Sequence, residues 1–249
     1  MHLKTLLAGL SLRSATADME TEITRISYDS RTTAPGDVFV AMTGFAADGH
    51  AYIGKAMAAG AAAVVCERPP EDSSVPYVLV ENSRRALAVM AANYYGHPAD
   101  SMTMVAVTGT NGKTTTTYLL KAILEQELGA KVGLIGTNQD LIGDEVVPTE
   151  RTTPESLELQ ELFARMRSAG CTHVVMEASS HALALDRVYG IHYAVGIFTN
   201  LTQDHLDFHK TMEAYCDAKA ILFQNCEVGV CNADDPWTCL LYTSDAADD

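Results

Sequence analysis

Residues 105–115 read VAVTGTNGKTT: an apolar run, a loop with two glycines, and then a lysine followed by two threonines. The apolar run predicts a buried strand, and residues 113–128 predict a helix. Between them, glycines allow the backbone to wrap phosphate oxygens, and a helix N-terminus presents free N–H groups and the positive end of its dipole. Lys113 would then lie near the phosphates, and the Thr114 hydroxyl near a Mg²⁺ ion. The stretch therefore predicts a nucleotide site of the strand–loop–helix type.

The spacing of this loop differs slightly from the usual phosphate-loop pattern. The pattern G-x-x-x-x-G-K-[ST] places a glycine where this chain has Val107. A glycine-rich turn with a chance lysine is the alternative interpretation, and the strand–loop–helix context argues against it. Such a loop indicates nucleotide binding and does not identify the reaction. We expect nucleotide contacts from Gly109, Thr110, Asn111, Gly112, Lys113, Thr114 and Thr115.

The sequence after the loop continues as alternating apolar and amphipathic segments. Strands are predicted at 132–135, 173–177, 195–199 and 228–231, and helices at 155–169 and 212–223. These strands are nearly all apolar, which is typical of strands covered on both faces. The fold class predicted for residues 100–249 is therefore α/β, with a mostly parallel sheet flanked by helices and ligands at the carboxyl ends of the strands.

Residues 1–99 predict a separate small α/β domain. Its strands are expected at 23–28, 38–41, 62–65 and 77–80, and its helices at 52–59 and 83–95. The sequence Gly96-His97-Pro98 ends the last helix and marks the boundary. At the N-terminus, Lys4 precedes a short apolar segment that faintly resembles a signal peptide, but Arg13 interrupts it. A first amphipathic helix is the preferred interpretation.

The charge balance of the chain excludes some classes of partner. Its 249 residues carry 17 Lys and Arg against 32 Asp and Glu, a net charge of −15, and such a surface repels nucleic acid and anionic lipid. The six cysteines form no C-x-x-C pair, which argues against a zinc site. The longest apolar run, 56–66, is too short to span a membrane. We expect a cytoplasmic protein without a nucleic-acid or membrane partner.

Three groups of motifs resemble the Mur ligase family, cytoplasmic enzymes that add amino acids to a UDP-N-acetylmuramic acid carrier. The first is TGTNGKTT at 108–115. The second is DSR at 29–31, GDVFVA at 36–41 and DGH at 48–50. The third is ERTTP at 150–154, MEASSHAL at 176–183 and the later Arg187, which is similar to the branch that adds the third residue of the peptide.

This resemblance implies two sets of substrate contacts. The first domain would bind the UDP end of the carrier through Tyr28, Ser30, Phe45, Ala46 and Ala47. The second would bind the muramoyl-peptide and its diphosphate through Arg151, Thr152, Thr153, Ser179 and Arg187. Arg151 stands where some relatives carry asparagine. The alternatives are a solvated turn at 29–31 and a helix cap at 152–154, and a cap can coexist with binding.

The resemblance also implies Mg²⁺ ligands. Glu177 ends an apolar strand, where a carboxylate is costly unless it is paired or metal-bound. Glu177 matches a Mg²⁺ ligand of the family, to which Thr114 would add its hydroxyl, and His205 matches a ligand of a second Mg²⁺. Lys219 matches a lysine that is carbamylated in the family, which turns an amine into an anionic ligand. A lone histidine is more often structural and a lone lysine more often at the surface, but the surrounding motifs favour ligand roles. Asp204, Asp207 and His209 are expected in solvent.

The resemblance as a whole implies an ATP-dependent amide-bond ligase. It would join meso-diaminopimelate or L-lysine to UDP-MurNAc-L-Ala-D-Glu through an acyl phosphate, using ATP and Mg²⁺. The expected catalytic residues are Lys113, Glu177, Arg187, His205 and Lys219.

Two other functions remain open. One is the final-dipeptide (MurF-type) ligase, against which TTP at 152–154 and SSH at 179–181 argue. The other is a non-catalytic module that binds a UDP-peptide or a nucleotide. A GTPase is disfavoured because no N-K-x-D string is present. We expect a monomer. Residues from about 241 break the pattern, and we expect the family's C-terminal amino-acid-binding domain to be missing. We therefore expect the front part of a longer ligase that is inactive alone.

Overall fold

The structure is a computed structural model that describes residues 1–44 and 47–238. Contacts within the chain divide it into two compact units, Met1–Gly96 and the residues from His97 onward. Each unit has its own sheet and its own apolar core.

The first unit is a five-stranded sheet with helices. The sheet order is β1-β5-β4-β3-β2, in which β2 to β5 run parallel and β1 pairs antiparallel with β5. Phe39, Ile53 and Val64 are central to the core on one side of this sheet. In chain order the elements are α1 (Leu3–Leu6), β1 (Leu12–Ala15), β2 (Ile26–Ser27), β3 (Val38–Val40), α2 (Ile53–Ala58), β4 (Ala63–Cys66), β5 (Tyr77–Val80) and α3 (Ser83–Tyr95).

Helix α3 has the predicted bounds because both of its ends carry strong signals. The Asn82 carboxamide oxygen accepts hydrogen bonds from the backbone N–H groups of Arg84 and Arg85, at 2.9 and 3.0 Å. At the other end, Gly96 adopts the left-handed conformation with φ of 70°.

The N-terminus differs from the predicted amphipathic helix. Helix α1 has only four residues, and Leu12–Ala15 forms an edge strand that pairs with β5. This pairing gives hydrogen-bond partners to backbone N–H and C=O groups that a short helix would leave unpaired. The strand predicted at 23–28 is also reduced, to Ile26–Ser27, and is followed by a turn in which the amides of Thr32 and Thr33 donate to the Asp29 carbonyl.

The second unit is a seven-stranded sheet with helices on both faces. The sheet order is β12-β11-β6-β10-β7-β8-β9; the first five strands in that order are parallel, and β8 and β9 are antiparallel. Its elements are β6 (Thr103–Thr108), α4 (Lys113–Leu128), β7 (Val132–Ile135), β8 (Asp140–Ile142), β9 (Glu145–Val147), α5 (Ser156–Ser168), β10 (His173–Glu177), α6 (Ser180–Ala184), β11 (Tyr193–Phe198), α7 (Leu206–His209), α8 (Met212–Ala220) and β12 (Cys226–Cys231).

The core of this unit explains why its central strands are apolar. On one face, Phe163 and Met166 of α5 pack with Met104 and Met176 of the sheet. On the other face, Leu120 and Leu124 of α4 pack against Val105, Val132 and Val175. The carboxyl ends of β6, β7, β10 and β11 therefore meet at one uncovered edge, where an open α/β sheet binds its ligands.

Two expectations for this unit need correction, and one hairpin was not predicted. Strand β12 lies at the sheet edge, with Val228 and Val230 53% and 47% exposed, so it is not covered on both faces. The hairpin β8–β9 was not predicted, because its short strands carry no clear alternation. Helix α8 ends at Ala220, and a 3₁₀ turn at Phe223–Asn225 replaces its predicted last turn.

Among residues 1–44 and 47–238, no helix is both long enough and apolar enough to cross a membrane.

Candidate functional site

A cleft of about 450 Å³ lies in the first unit. Tyr28, Ser30 and Ala47, three of the predicted UDP contacts, line this cleft, whereas Phe45 and Ala46 lie outside the described residues. The other lining residues combine cationic and aromatic side chains, which suits an anionic ligand that carries a ring. They are Asp29, Arg31, Phe39, Met42, Gly44, Gly49, Tyr52, Lys55 and Arg84.

The DGH motif forms a hydrogen-bonded network beside this cleft. The Glu67 N–H donates to Nε2 of His50 at 3.0 Å, so the ring proton lies on Nδ1, which is 2.7 Å from the Asp48 carboxylate. Arg68 also pairs with Asp48 and lowers the pKa of that carboxyl. The motif therefore braces the segment that contributes Gly49 to the cleft.

In the second unit, the predicted phosphate loop joins β6 to α4. Gly109 and Gly112 have φ angles of 142° and 87°, which few other residues adopt. The Lys113 ammonium lies over this loop and donates to the carbonyls of Gly109 and Thr110, both at 2.9 Å. Helix α4 begins without a side-chain cap, so its first N–H groups point into the loop.

Glu177 is fully buried at the carboxyl end of β10. Its carboxylate accepts hydrogen bonds from the Thr114 hydroxyl at 2.9 Å, the Thr137 N–H at 3.0 Å and the Thr137 hydroxyl at 3.1 Å. A Cβ on Gly136 would lie 2.5 Å from this carboxylate, so glycine is needed there. Thr137 was missed from the sequence; its place after β7, at the same sheet edge, was the available signal. The structure thus brings Thr114 and Glu177 into contact.

Lys219 is buried on α8, with 1% of its surface exposed. Its Nζ donates to the Gly109 carbonyl at 3.0 Å, the same oxygen that Lys113 uses, and it lies 4.5 Å from the centre of the Tyr215 ring. Among the described residues, no carboxylate forms an ion pair with Lys219. Burial, and then repulsion by Lys113, lowers the pKa of Lys219 to about 7. Burial also lowers the pKa of Lys113.

The predicted peptide-binding residues form a second cluster at the same end of β10. Arg187 donates to the Thr153 carbonyl at 3.2 Å, and its Nε lies 3.3 Å from the buried Glu155 carboxylate. Arg151 lies 3.9 Å from the same carboxylate. Glu155 was not predicted, although a Glu directly before a helix start is a recognisable feature.

The structure does not place a helix cap at 152–154. The contacts of Thr152, Thr153 and Ser179 are of other kinds. Helix α5 is capped by Glu155, whose side chain accepts from Ser156 N–H. The Thr153 hydroxyl is buried and donates to the Glu177 carbonyl at 2.8 Å. The Thr152 hydroxyl lies 3.0 Å from that of Thr137, and Ser179 caps α6. Thr153 therefore joins the end of β10 to the start of α5.

His205 lies on a histidine-rich surface rather than beside Glu177. It is about half exposed, with its ring 4.9 Å from that of His181 and 3.5 Å from the Asp204 carboxylate. His209, expected in solvent, is instead buried and hydrogen-bonded to Ser180 at 2.9 Å. The pKa of His209 is lowered to about 4, mainly by burial and next by electrostatic repulsion from His181. Within the part of the chain that the structure describes, no three His, Cys, Asp or Glu side chains converge on one metal position.

Asp140 is a buried carboxyl near this site. It is 2% exposed and accepts a hydrogen bond from the Gly136 N–H at 3.2 Å. Burial raises the pKa of Asp140 to about 6. The folded state therefore binds its proton more tightly than the unfolded state does, so the contribution of Asp140 to stability is greatest at low pH and is lost as pH rises through about 6.

Replacing Asp140 with Asn is therefore expected to stabilise the protein at pH 8 more than at pH 5. The cost of the buried charge reaches on the order of 3 kcal/mol at high pH, and the gain should grow by about 1.4 kcal/mol between pH 5 and pH 8. Urea unfolding at both pH values measures this. Asp144→Asn, at an exposed position of the same hairpin, is the control and should show no such growth. An equal gain at both pH values would contradict the assignment.

Comparison with known proteins identifies both units. The sequence model of the Mur ligase middle domain matches residues 107–246, and that of the Mur ligase family catalytic domain matches residues 22–95. A UDP-N-acetylmuramoyl-L-alanyl-D-glutamate–2,6-diaminopimelate ligase of Clostridium tetani is 49% identical over 239 residues, which are 94% of this chain and 49% of the relative. The chain thus spans about half the length of the curated relatives it matches.

Two solved structures extend the comparison. A UDP-N-acetylmuramoyl-L-alanyl-D-glutamate–2,6-diaminopimelate ligase aligns with a TM-score of 0.81 and 27% identity, over 98% of this chain and 50% of that one. The MurF ligase of Thermotoga maritima, solved in complex with ADP, aligns with a TM-score of 0.54 and 26% identity, over 85% and 46%. Since the middle-domain model alone covers more than half of the sequence, this chain belongs to the Mur ligase family.

Proposed function

We propose that this chain carries the UDP-peptide and ATP sites of a ligase that adds a diamino acid to UDP-MurNAc-L-Ala-D-Glu. The observation that carries the proposal is the phosphate loop beside the hydrogen-bonded pair of Thr114 and the buried Glu177, in a chain 49% identical to diaminopimelate ligases. ATP in the loop is supported by the free amides at the start of α4 and by the ADP complex of the Thermotoga relative.

The reaction needs a leaving group on an unreactive carboxylate. The D-glutamate carboxylate of the substrate attacks the γ-phosphorus of ATP, which releases ADP and forms an acyl phosphate. The amine of the diamino acid then attacks the acyl carbon, expels phosphate and loses a proton. The protein positions two anions against each other and neutralises their charge. Lys113, in the loop, would contact the nucleotide phosphates, and Arg187, held by Glu155 and Thr153, would contact the peptide substrate.

The donor set at the edge of the sheet fits Mg²⁺. This ion keeps several waters and binds through one or two carboxylates together with substrate phosphates, so it does not require three converging protein ligands. Thr114 and Glu177 would hold it, and His205, directly before α7, would bind a second Mg²⁺ ion. The ion would neutralise charge on the transferred phosphoryl group. Thr137 would keep the Glu177 carboxylate oriented.

Lys219 fits the carbamate expected from the family. It is buried, and it shares one carbonyl with Lys113, so two ammonium ions there would repel each other. A neutral Lys219 amine can capture CO₂ and become an anion next to Lys113. The carbamate would add a negative ligand at the nucleotide site.

Calorimetric titration of the folded 249-residue chain tests the substrate assignment. UDP-MurNAc-L-Ala-D-Glu should bind more tightly than the tripeptide form, because its reacting D-glutamate carboxylate is free to pair with a cation such as Arg187, whereas in the tripeptide form that group is already a neutral amide. Lys113→Ala should weaken Mg²⁺–ATP binding and leave UDP-peptide binding unchanged.

Other outcomes of that titration would identify other functions. Preference for the tripeptide form would assign the chain to the MurF-type reaction. Binding of ligands without any turnover in a protein completed to the length of its relatives would favour a non-catalytic module. The proposal also places the protein in the cytoplasm, where ATP is available, and as a monomer, which sedimentation can check.

A further inference from the structure

Asn200 follows β11 and Thr199 in the chain. It forms three hydrogen bonds with the phosphate loop. Its carboxamide oxygen accepts from the Asn111 N–H at 3.0 Å, and its carboxamide nitrogen donates to the Asn111 carbonyl at 3.0 Å. Its own backbone carbonyl accepts from the Thr110 N–H at 2.8 Å. One residue thus forms hydrogen bonds with both backbone polar groups of Asn111 and with the amide of Thr110.

These bonds divide the amides of the loop into two groups. The N–H groups of Thr110 and Asn111 are directed to Asn200 and face away from a ligand. In the described part of the chain, the N–H groups of residues 112–115 donate to no other residue. Backbone amides at an uncapped helix start are the usual donors to phosphate oxygens. The donors left for phosphate are therefore those of Gly112, Lys113, Thr114 and Thr115.

We propose that Asn200 is a positioning residue that holds the phosphate loop in its ligand-binding conformation before the nucleotide arrives. This role rests on the proposed ATP site. With Asn111 fixed at its N–H and its carbonyl, the chain enters Gly112 in one orientation, and the four free amides point to one place. A ligand then meets an ordered site and does not have to order the loop on binding.

The side-chain chemistry explains why asparagine suits this position. Pairing with both polar groups of one residue needs an acceptor and a donor on the same short side chain, which a carboxamide provides. Aspartate would keep the acceptor but place a carboxylate oxygen against the Asn111 carbonyl, and its charge would also oppose phosphate. Alanine would leave the Asn111 N–H without its acceptor, and the Asn111 carbonyl with only the Thr199 hydroxyl as a donor.

The test compares the full chain with its Asn200→Ala and Asn200→Asp variants, well below their unfolding temperatures. Isothermal titration gives the affinities for inorganic pyrophosphate and for Mg²⁺–ATP. Asn200→Ala should weaken both by at least about tenfold and by similar factors, because both ligands use the loop amides. Asn200→Asp should weaken them at least as much. Asn225→Ala, which also removes a carboxamide bond to a backbone carbonyl but lies in the turn before β12, should change neither.

A readout independent of ligand accompanies the titration. Amide hydrogen exchange at Asn111 should be slow in the parent chain and at least about tenfold faster in Asn200→Ala, since its N–H loses the side-chain acceptor. The Thr110 N–H keeps its backbone acceptor at residue 200 in both chains and serves as the internal comparison. Affinities within twofold of the parent chain in both Asn200 variants would overturn the role of Asn200 and leave the ATP site standing. If Asn200→Ala does not fold, Asn200→Asp decides. A parent chain that binds neither ligand would overturn the proposed ATP site and the role of Asn200 with it.

Discussion

Replacing Gly109 with alanine is expected to weaken Mg²⁺–ATP binding by at least about 100-fold. Gly109 has a φ of +142°, and a Cβ there would lie 2.0 Å from the Thr199 hydroxyl oxygen and 3.1 Å from two backbone atoms of Asn200. The hydroxyl cannot move freely, because it donates to the Asn111 carbonyl at 2.7 Å. The loop must therefore shift. The Gly109 carbonyl moves with it and loses its bonds to Lys113 and Lys219.

Substitutions at two other glycines serve as controls. They distinguish the steric overlap of the added Cβ at Gly109 from backbone strain and from the methyl group itself. Gly129, at the end of the same helix α4, has a φ of +61°, but a Cβ added there would meet nothing within 4 Å, so Gly129→Ala introduces backbone strain alone. Gly54→Ala, with an ordinary φ and open space, introduces neither. Calorimetric titration with Mg²⁺–ATP should show a large loss only for Gly109→Ala. Gly109→Ala binding within threefold of the parent chain would show that the loop is not held as described.

Elements with strong local signals could be predicted from the sequence to the residue. Helices α3 and α4 have the predicted bounds because each stops at a glycine in the left-handed conformation. Strands β5, β7 and β10 also match, since each is a short apolar run between clear breaks. Strand β12 looks the same in sequence, and its exposure follows only from its place at the edge of the sheet. An apolar run alone does not distinguish these two positions.

In the candidate site, too, features that are local in sequence could be predicted, and features that depend on the order of the strands could not. Residues in continuous motifs, such as Lys113 and Thr114, could be predicted because a loop and the helix after it are local in sequence. Thr137 and Asn200 could not, because they reach Glu177 and Asn111 only through the order of the strands. That order places β10 between β6 and β7, and β11 on the other side of β6. Similarly, burial of His209 depends on how α7 packs beside α6.

Lys219 is expected to react with dissolved CO₂ to form a carbamate, at a level that other lysines of the chain do not reach. The reaction joins the amine nitrogen to the CO₂ carbon and releases a proton, so it requires a neutral amine. With a pKa of about 7, roughly three-quarters of the Lys219 side chains are neutral at pH 7.5, compared with about one in a thousand for a solvent lysine. The carbamate should therefore increase as pH rises through about 7. Carbon-13 NMR of the chain in labelled bicarbonate should show one carbamate signal.

A second buried lysine supplies the matched control for this prediction. Lys121 is 6% exposed, but its ammonium is paired with Glu125 on the same helix, whereas Lys219 forms no ion pair with a carboxylate among the described residues. The carbamate signal should disappear in Lys219→Met and persist in Lys121→Met.

If the carbamate is a Mg²⁺ ligand, removing CO₂ should also weaken Mg²⁺-dependent ATP binding by at least about tenfold in the parent chain and leave Lys219→Met unchanged. A signal that survives in Lys219→Met would place the reactive amine elsewhere. A parent chain that binds Mg²⁺–ATP equally well with and without CO₂ would separate Lys219 from the metal. Among the described residues, burial without a carboxylate partner, and not burial alone, is thus the property that distinguishes Lys219 from Lys121.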